Sequence, residues 1–112
     1  PQDVFAEFKI FFNSIKKVLP KTKVFAIGIQ PSPSRFSQRS RQQEWNDAVN
    51  NLAKSDPNLV YIDVSSAMLS SNNLPMLELY TEDTLHMNQK GYKIWTKLVR
   101  ENLKKYFPED FL

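Results

Sequence analysis

At 112 residues the chain has room for one domain at most. An apolar share of 41% with 12% aromatic residues excludes a disordered tract, and the absence of cysteine excludes disulfides, thiolate metal sites and a cysteine nucleophile. A formal charge of +3 is too mild to imply a nucleic-acid partner, and a single histidine leaves too few ligands for zinc, so neither metal nor cofactor is expected.

In chain order, Pro1 to Leu19 predicts an amphipathic helix. Pro1 suits a first turn and Asp3 favours the N-terminal dipole, while Val4, Phe8, Phe11, Phe12, Ile15, Val18 and Leu19 recur at helical spacing until Pro20. Val24 to Ile29 is apolar without alternation, the pattern of a strand covered on both faces in a parallel sheet. Gln30 to Arg35, with two prolines and two serines, follows as a rigid loop in which Arg35 is the residue to watch for substrate contact, a plain surface role being the stronger reading. Phe36 to Lys54, clearest from Gln38, predicts a second helix with Trp45, Ala48, Val49, Leu52 and Ala53 on one stripe. Its basic entry, Arg35, Arg39 and Arg41, lacks an aromatic platform and reads as a solvated face.

After the break at Ser55 to Asn58, Leu59 to Asp63 predicts a second short buried strand. Strand, helix, strand in this order is a βαβ unit, whose ligands bind beyond the carboxyl ends of the strands. The loop after Ile29 and the segment after Asp63 therefore belong to the functional rim. Ser65 to Leu69 predicts a helical turn, Ser70 to Glu82 a polar connection, and Asn88 to Tyr106 a closing helix with Tyr92, Trp95, Leu98, Val99, Leu103 and Tyr106 facing inward. No apolar run is long enough to span a membrane. The chain opens on Pro1 rather than methionine, so a natural N-terminus, with any targeting signal, is expected upstream.

Between the last two segments stands Asp83-Thr84-Leu85-His86, containing the only histidine of the chain. In a turn leading into a helix capped by Asn88, the Asp83 carboxylate can accept the imidazole Nδ1–H and leave Nε2 to activate a hydroxyl. The competing reading is structural: Asp83 caps the turn and His86 packs over the helix end.

Asp83-x-x-His86, with Asn88, Gly91-Tyr92 and Trp95, resembles the last block of the SGNH or GDSL-type esterases and acylhydrolases. The order of Val24 to Ile29, Pro31 to Arg35, Tyr61 to Val64 and Met68-Leu69 agrees with that family over most of the chain, although only the Asp83/His86 block is a specific motif. The resemblance implies the C-terminal part of a flavodoxin-like three-layer αβα fold with a parallel sheet, all of residues 1–112 forming part of a single hydrolase domain. It implies a Ser-His-Asp triad in which His86 is the general base and Asp83 its partner. The family's Gly-Asp-Ser nucleophile block and Gly-x-Asn-Asp oxyanion block do not occur. Ser32, Ser34, Ser65, Ser66, Ser70 and Ser71 lack the first setting, and Asn46-Asp47 follows Glu44-Trp45 in the middle of a helix.

The expected partners are thus a small-molecule ester and the N-terminal part of the same fold, which could be a separate chain. The isolated chain is expected to be inactive. The alternative is a non-catalytic binding or interaction domain that keeps the fold without a nucleophile, and a third reading is an unrelated βαβ fragment.

Overall fold

The computed structural model describes residues 2–111, and within it the chain falls into two compact units. One takes in the chain through Ile29 together with Gln38–Tyr61; the other joins Gln30–Ser37 to the chain from Ile62 onward. Pro1, expected in the first helical turn, lies outside the described residues.

The first unit contains α1 (Gln2–Val18), β1 (Val24–Ile27) and α2 (Arg39–Ser55), with β2 (Leu59–Ile62) beginning in it. Successive helical residues lie about 100° apart, so Phe11 and Phe12 cannot face one core. Phe12 is buried with Ala26, Val49 and Leu59, and Phe5, Phe8, Trp45 and Leu52 pack around them. The Phe8 ring stacks on Phe12 at 6.3 Å between centroids and meets Trp45 edge-on at 5.8 Å. Val4, Phe11, Val18 and Leu19, predicted on the same apolar face, are exposed instead. The helix buries the narrower stripe of Phe5, Phe8 and Phe12.

Among the described residues β1 and β2 form a two-stranded parallel sheet, and the Val24 N–H reaches the Asn58 carbonyl at 2.7 Å beside it. β1 stops two residues short of the predicted Ile29 for an identifiable reason. Asn46, fully buried on α2, accepts the Ile29 N–H at 2.8 Å on Oδ1 and donates Nδ2 to the Ile29 carbonyl at 3.3 Å. A side-chain amide thereby replaces the next rung of the ladder and turns the chain out of the sheet. β2 likewise ends before Asp63, whose carboxylate caps α3 (Val64–Ala67) by accepting Ser66 N–H at 3.0 Å and Ser66 Oγ–H at 2.7 Å. The second helix begins at Arg39 rather than Phe36, because residues Pro33–Gln38 form a 3₁₀ segment kinked at Arg35.

In the second unit Met68, Leu79, Tyr80 and Met87 form the buried core, and Met76, Ile94 and Trp95 close over it. The predicted polar connection is more ordered than its composition suggests. It holds a 3₁₀ turn at Leu77–Leu79 and isolated antiparallel bridges pairing Leu69 with Pro75 and Tyr80 with Met87. α4 (Gln89–Tyr106) buries Gly91 and packs through Ile94 and Trp95, whereas Tyr92, expected to face inward, is 55% exposed. The inward stripe starts one residue earlier than the aromatic pattern suggests.

Replacing Asn46 by alanine leaves both polar groups of Ile29 without their partner, and should cost about 2 kcal/mol, seen as a lower urea midpoint with an unchanged slope. A second prediction concerns acid. Lys16 Nζ donates to Asp56 Oδ2 at 2.5 Å and Asn58 N–H to Oδ1 at 2.9 Å, and these bonds, Lys16 first, hold the Asp56 carboxyl below its usual 3.8. A lowered folded-state value means stability that is present above the ordinary range and is lost as pH falls through it. Urea midpoints should therefore drop between neutral pH and a pH of about 3, and drop less in Asp56→Asn.

Candidate active site

The candidate residues sit on a loop, Thr81 to His86, pinched shut at its base. Tyr80 and Met87 form the antiparallel bridge, the Thr81 N–H donates to the His86 carbonyl at 2.9 Å, and the Asn88 N–H donates to the Leu79 carbonyl at 2.9 Å. Both bridge residues are buried in the second unit's core, so the loop stands on a hydrophobic footing while its tip reaches solvent. Asn88 locks the far end. Its Oδ1 accepts the Gly91 N–H at 3.1 Å, capping α4 as the sequence predicts, and its Nδ2 donates to the Glu78 and Tyr80 carbonyls at 2.7 and 3.2 Å. Gly91 is required by close approach, since a Cβ there would lie 2.6 Å from the Leu79 carbonyl and 2.9 Å from Met87 Cβ.

The rest of the rim is tied to this loop. Tyr80 is buried, donates its hydroxyl to the Pro31 carbonyl at 3.0 Å, and has its pKa pushed up to about 12 by burial, so it remains a neutral donor. The Ser34 N–H donates to the Thr84 carbonyl at 3.1 Å. The loop that follows β1 is therefore fastened beside the histidine loop, as the βαβ reading requires. Arg35 is exposed on it.

Within the loop, Asp83 and His86 come together. Asp83 Oδ2 lies 2.5 Å from His86 Nδ1, and Oδ1 accepts the Thr81 hydroxyl at 2.7 Å and the Leu85 and His86 N–H groups at 2.9 Å each. These bonds hold the carboxyl far below the usual carboxylate range, the His86 ring contributing most, then the His86 and Leu85 amides and the Thr81 hydroxyl. The side chains are 49% and 71% exposed, and Nε2 has no protein partner among the described residues. The imidazole thus turns one nitrogen to a fixed acceptor and the other outward, the geometry of an oriented general base.

The serines and the asparagine that the sequence sets outside the family's motifs have other partners or none at His86. No serine hydroxyl among the described residues hydrogen-bonds to His86; Ser66 is held by Asp63, and Ser70 Oγ accepts the Asn72 and Leu74 N–H groups. Asn46 is spent on Ile29. No cluster of three or more metal-ligating side chains occurs among the described residues, and none of their helices is long and apolar enough to cross a membrane. Sequence reasoning missed Thr81 as an Asp83 partner and Tyr80 as the link to Pro31. The first was detectable, because a threonine two residues before an aspartate is a local hydrogen-bond donor.

The profile of the GDSL-like lipase/acylhydrolase family matches residues 1–94. No curated protein matches the chain. Among solved structures, a provisionally assigned platelet activating factor from Streptococcus pneumonia superposes with a TM-score of 0.76 at 22% identity, covering 91% of this chain and 51% of that one. A provisionally assigned acylhydrolase from Bacteroides fragilis superposes with a TM-score of 0.76 at 20% identity, covering 94% of this chain and 52% of that one. The likeness establishes a shared α/β fold, of which this chain spans about half the length.

One local feature of the loop is unfavourable. Thr84 has φ 56°, a left-handed conformation that a β-branched residue adopts at a cost. Thr84→Gly should raise stability by up to about 1 kcal/mol, offset in part by the entropy of glycine. A matched pair of urea titrations checks this, and a destabilisation would show that the Thr84 hydroxyl, which donates to the Asp83 carbonyl at 2.7 Å, outweighs the backbone strain.

Proposed function

Because the chain belongs to the GDSL-like lipase/acylhydrolase family, we propose that it carries the acid–base half of a serine hydrolase site, with His86 as base and Asp83 as its orienting partner. The observation that carries this reading is the carboxylate held on His86 Nδ1 while Nε2 opens outward. In the proposed reaction Nε2 takes the proton of a serine hydroxyl as its oxygen attacks the ester carbonyl. It then returns that proton to the departing alkoxide, leaving an acyl-enzyme. A water deprotonated by the same nitrogen attacks the acyl carbonyl, the bond to the serine oxygen breaks, and the imidazolium returns the proton to that oxygen, freeing the acid and the serine. Asp83 remains ionised throughout and stabilises the imidazolium formed in each half.

The serine and the oxyanion donors come, in this reading, from the remainder of a single hydrolase domain of which residues 1–112 form the C-terminal part. Two further facts support it. The chain spans about half of the solved structures it superposes on, and among the described residues β1 has a neighbouring strand on one side, with order β1–β2. An N-terminal part of the same fold, in the same chain or another, would extend the sheet and cover the apolar side chains left exposed on α1. The substrate is a carboxylic ester: a short acyl ester, a lysophospholipid or an acetylated sugar.

Since acyl transfer depends most on the nucleophile and the oxyanion hole, the 112-residue chain alone should not turn over an aryl acetate. In the complete protein, His86→Ala should lower kcat/KM for that ester by about three orders of magnitude. Turnover unchanged by the substitution would remove His86 from the mechanism.

A further inference from the structure

Asp83 can serve His86 only if its carboxylate keeps one oxygen for the ring. The carboxylate rotates about a single bond, and its two oxygens are chemically equivalent until neighbours distinguish them. Two of the donors on Oδ1 are the amides of Leu85 and His86, which belong to the same turn and would move with it. The third, the Thr81 hydroxyl at 2.7 Å, comes from the residue that opens the loop, next to the Tyr80–Met87 bridge at its neck.

Thr81 is itself held in place. Its N–H donates to the His86 carbonyl at 2.9 Å, and its carbonyl accepts the Thr84 N–H at 2.9 Å. The residue therefore spans the loop from Asp83 to His86 through its main chain while its side chain grips the carboxylate. A β-branched residue also has few χ1 choices, so its hydroxyl is aimed in advance.

We propose that Thr81 is a positioning residue of the acid–base pair: its hydroxyl engages Asp83 Oδ1 so that Oδ2 stays directed at His86 Nδ1. The proposal rests on the reading of His86 as the base, and it adds a residue that the Asp-x-x-His motif does not contain. The hydroxyl makes no contact with the imidazole and acts through Asp83. Pinning the carboxylate from the neck of the loop keeps Nδ1–H the favoured tautomer and Nε2 the free acceptor.

Two measurements separate this proposal from the hydrolase reading itself. In the 112-residue chain with ¹⁵N-labelled histidine, ring nitrogen shifts above the imidazole titration range report the tautomer ratio without any need for turnover. Thr81→Val, which keeps the shape and removes the donor, should raise the Nε2–H fraction about fivefold, and Thr81→Ser should restore most of the original ratio. Should valine disturb folding, Thr81→Ala provides the same loss of donor. In the complete protein with an aryl acetate, Thr81→Val should lower kcat about tenfold at unchanged KM, with recovery in Thr81→Ser.

An unchanged tautomer ratio in the valine and alanine variants overturns the role of Thr81, as does a loss of kcat that serine fails to rescue. If the complete protein shows no turnover that depends on His86, the hydrolase reading fails, and the ring shifts still decide whether Thr81 orients the pair.

Discussion

The structure around the candidate site depends on a single carboxylate. Asp83 accepts from the Thr81 hydroxyl, the Leu85 and His86 amides and the His86 ring, and in doing so it performs two tasks that oppose each other in most turns. A carboxylate that satisfies backbone amides normally serves local folding, whereas one that orients an imidazole must present a free oxygen at a fixed angle. Here the oxygens divide the work, Oδ1 holding the turn and Oδ2 the ring. The same carboxylate therefore holds the turn and orients the ring, and the backbone strain at Thr84 lies between the two residues it joins.

That polar loop is precise because its base is apolar. Tyr80 and Met87 pair across the neck and are buried with Met68 and Leu79, and Asn88 ties the start of α4 to the same neck through Glu78 and Tyr80. Tyr80 continues outward to Pro31 through its hydroxyl. A residue whose ring belongs to the core and whose phenol holds a rim loop connects burial to the placement of the site. The exposed Asp83–His86 pair stands on this buried neck.

The first unit shows the same economy in another form. Asn46 gives a polar side chain to the centre of α2, which costs burial, and recovers it by matching both polar groups of Ile29. The result ends β1 and releases the chain toward the rim segment, Gln30–Ser37, that belongs with the histidine loop. Asn46, which the sequence already sets apart from a Gly-x-Asn-Asp block, is by its position a structural clamp.

Hydrophobic periodicity alone was enough to read the order of helices and strands, because the segments are short and each carries its own start and stop residues, such as Pro20, the Ser55 to Asn58 break and Asn88. The spacing of Asp83 and His86 left two readings open, a carboxylate on the ring or a cap on the turn, and the family resemblance favoured the first; in the structure Asp83 does both. What the tertiary structure decided were choices between neighbours on one face: Phe12 rather than Phe11, Gly91 and Ile94 rather than Tyr92. It also decided where strands stop, through Asn46 and Asp63. Such outcomes depend on which polar group finds a partner and which ring finds a cavity, and those partners come from distant parts of the chain that periodicity cannot see.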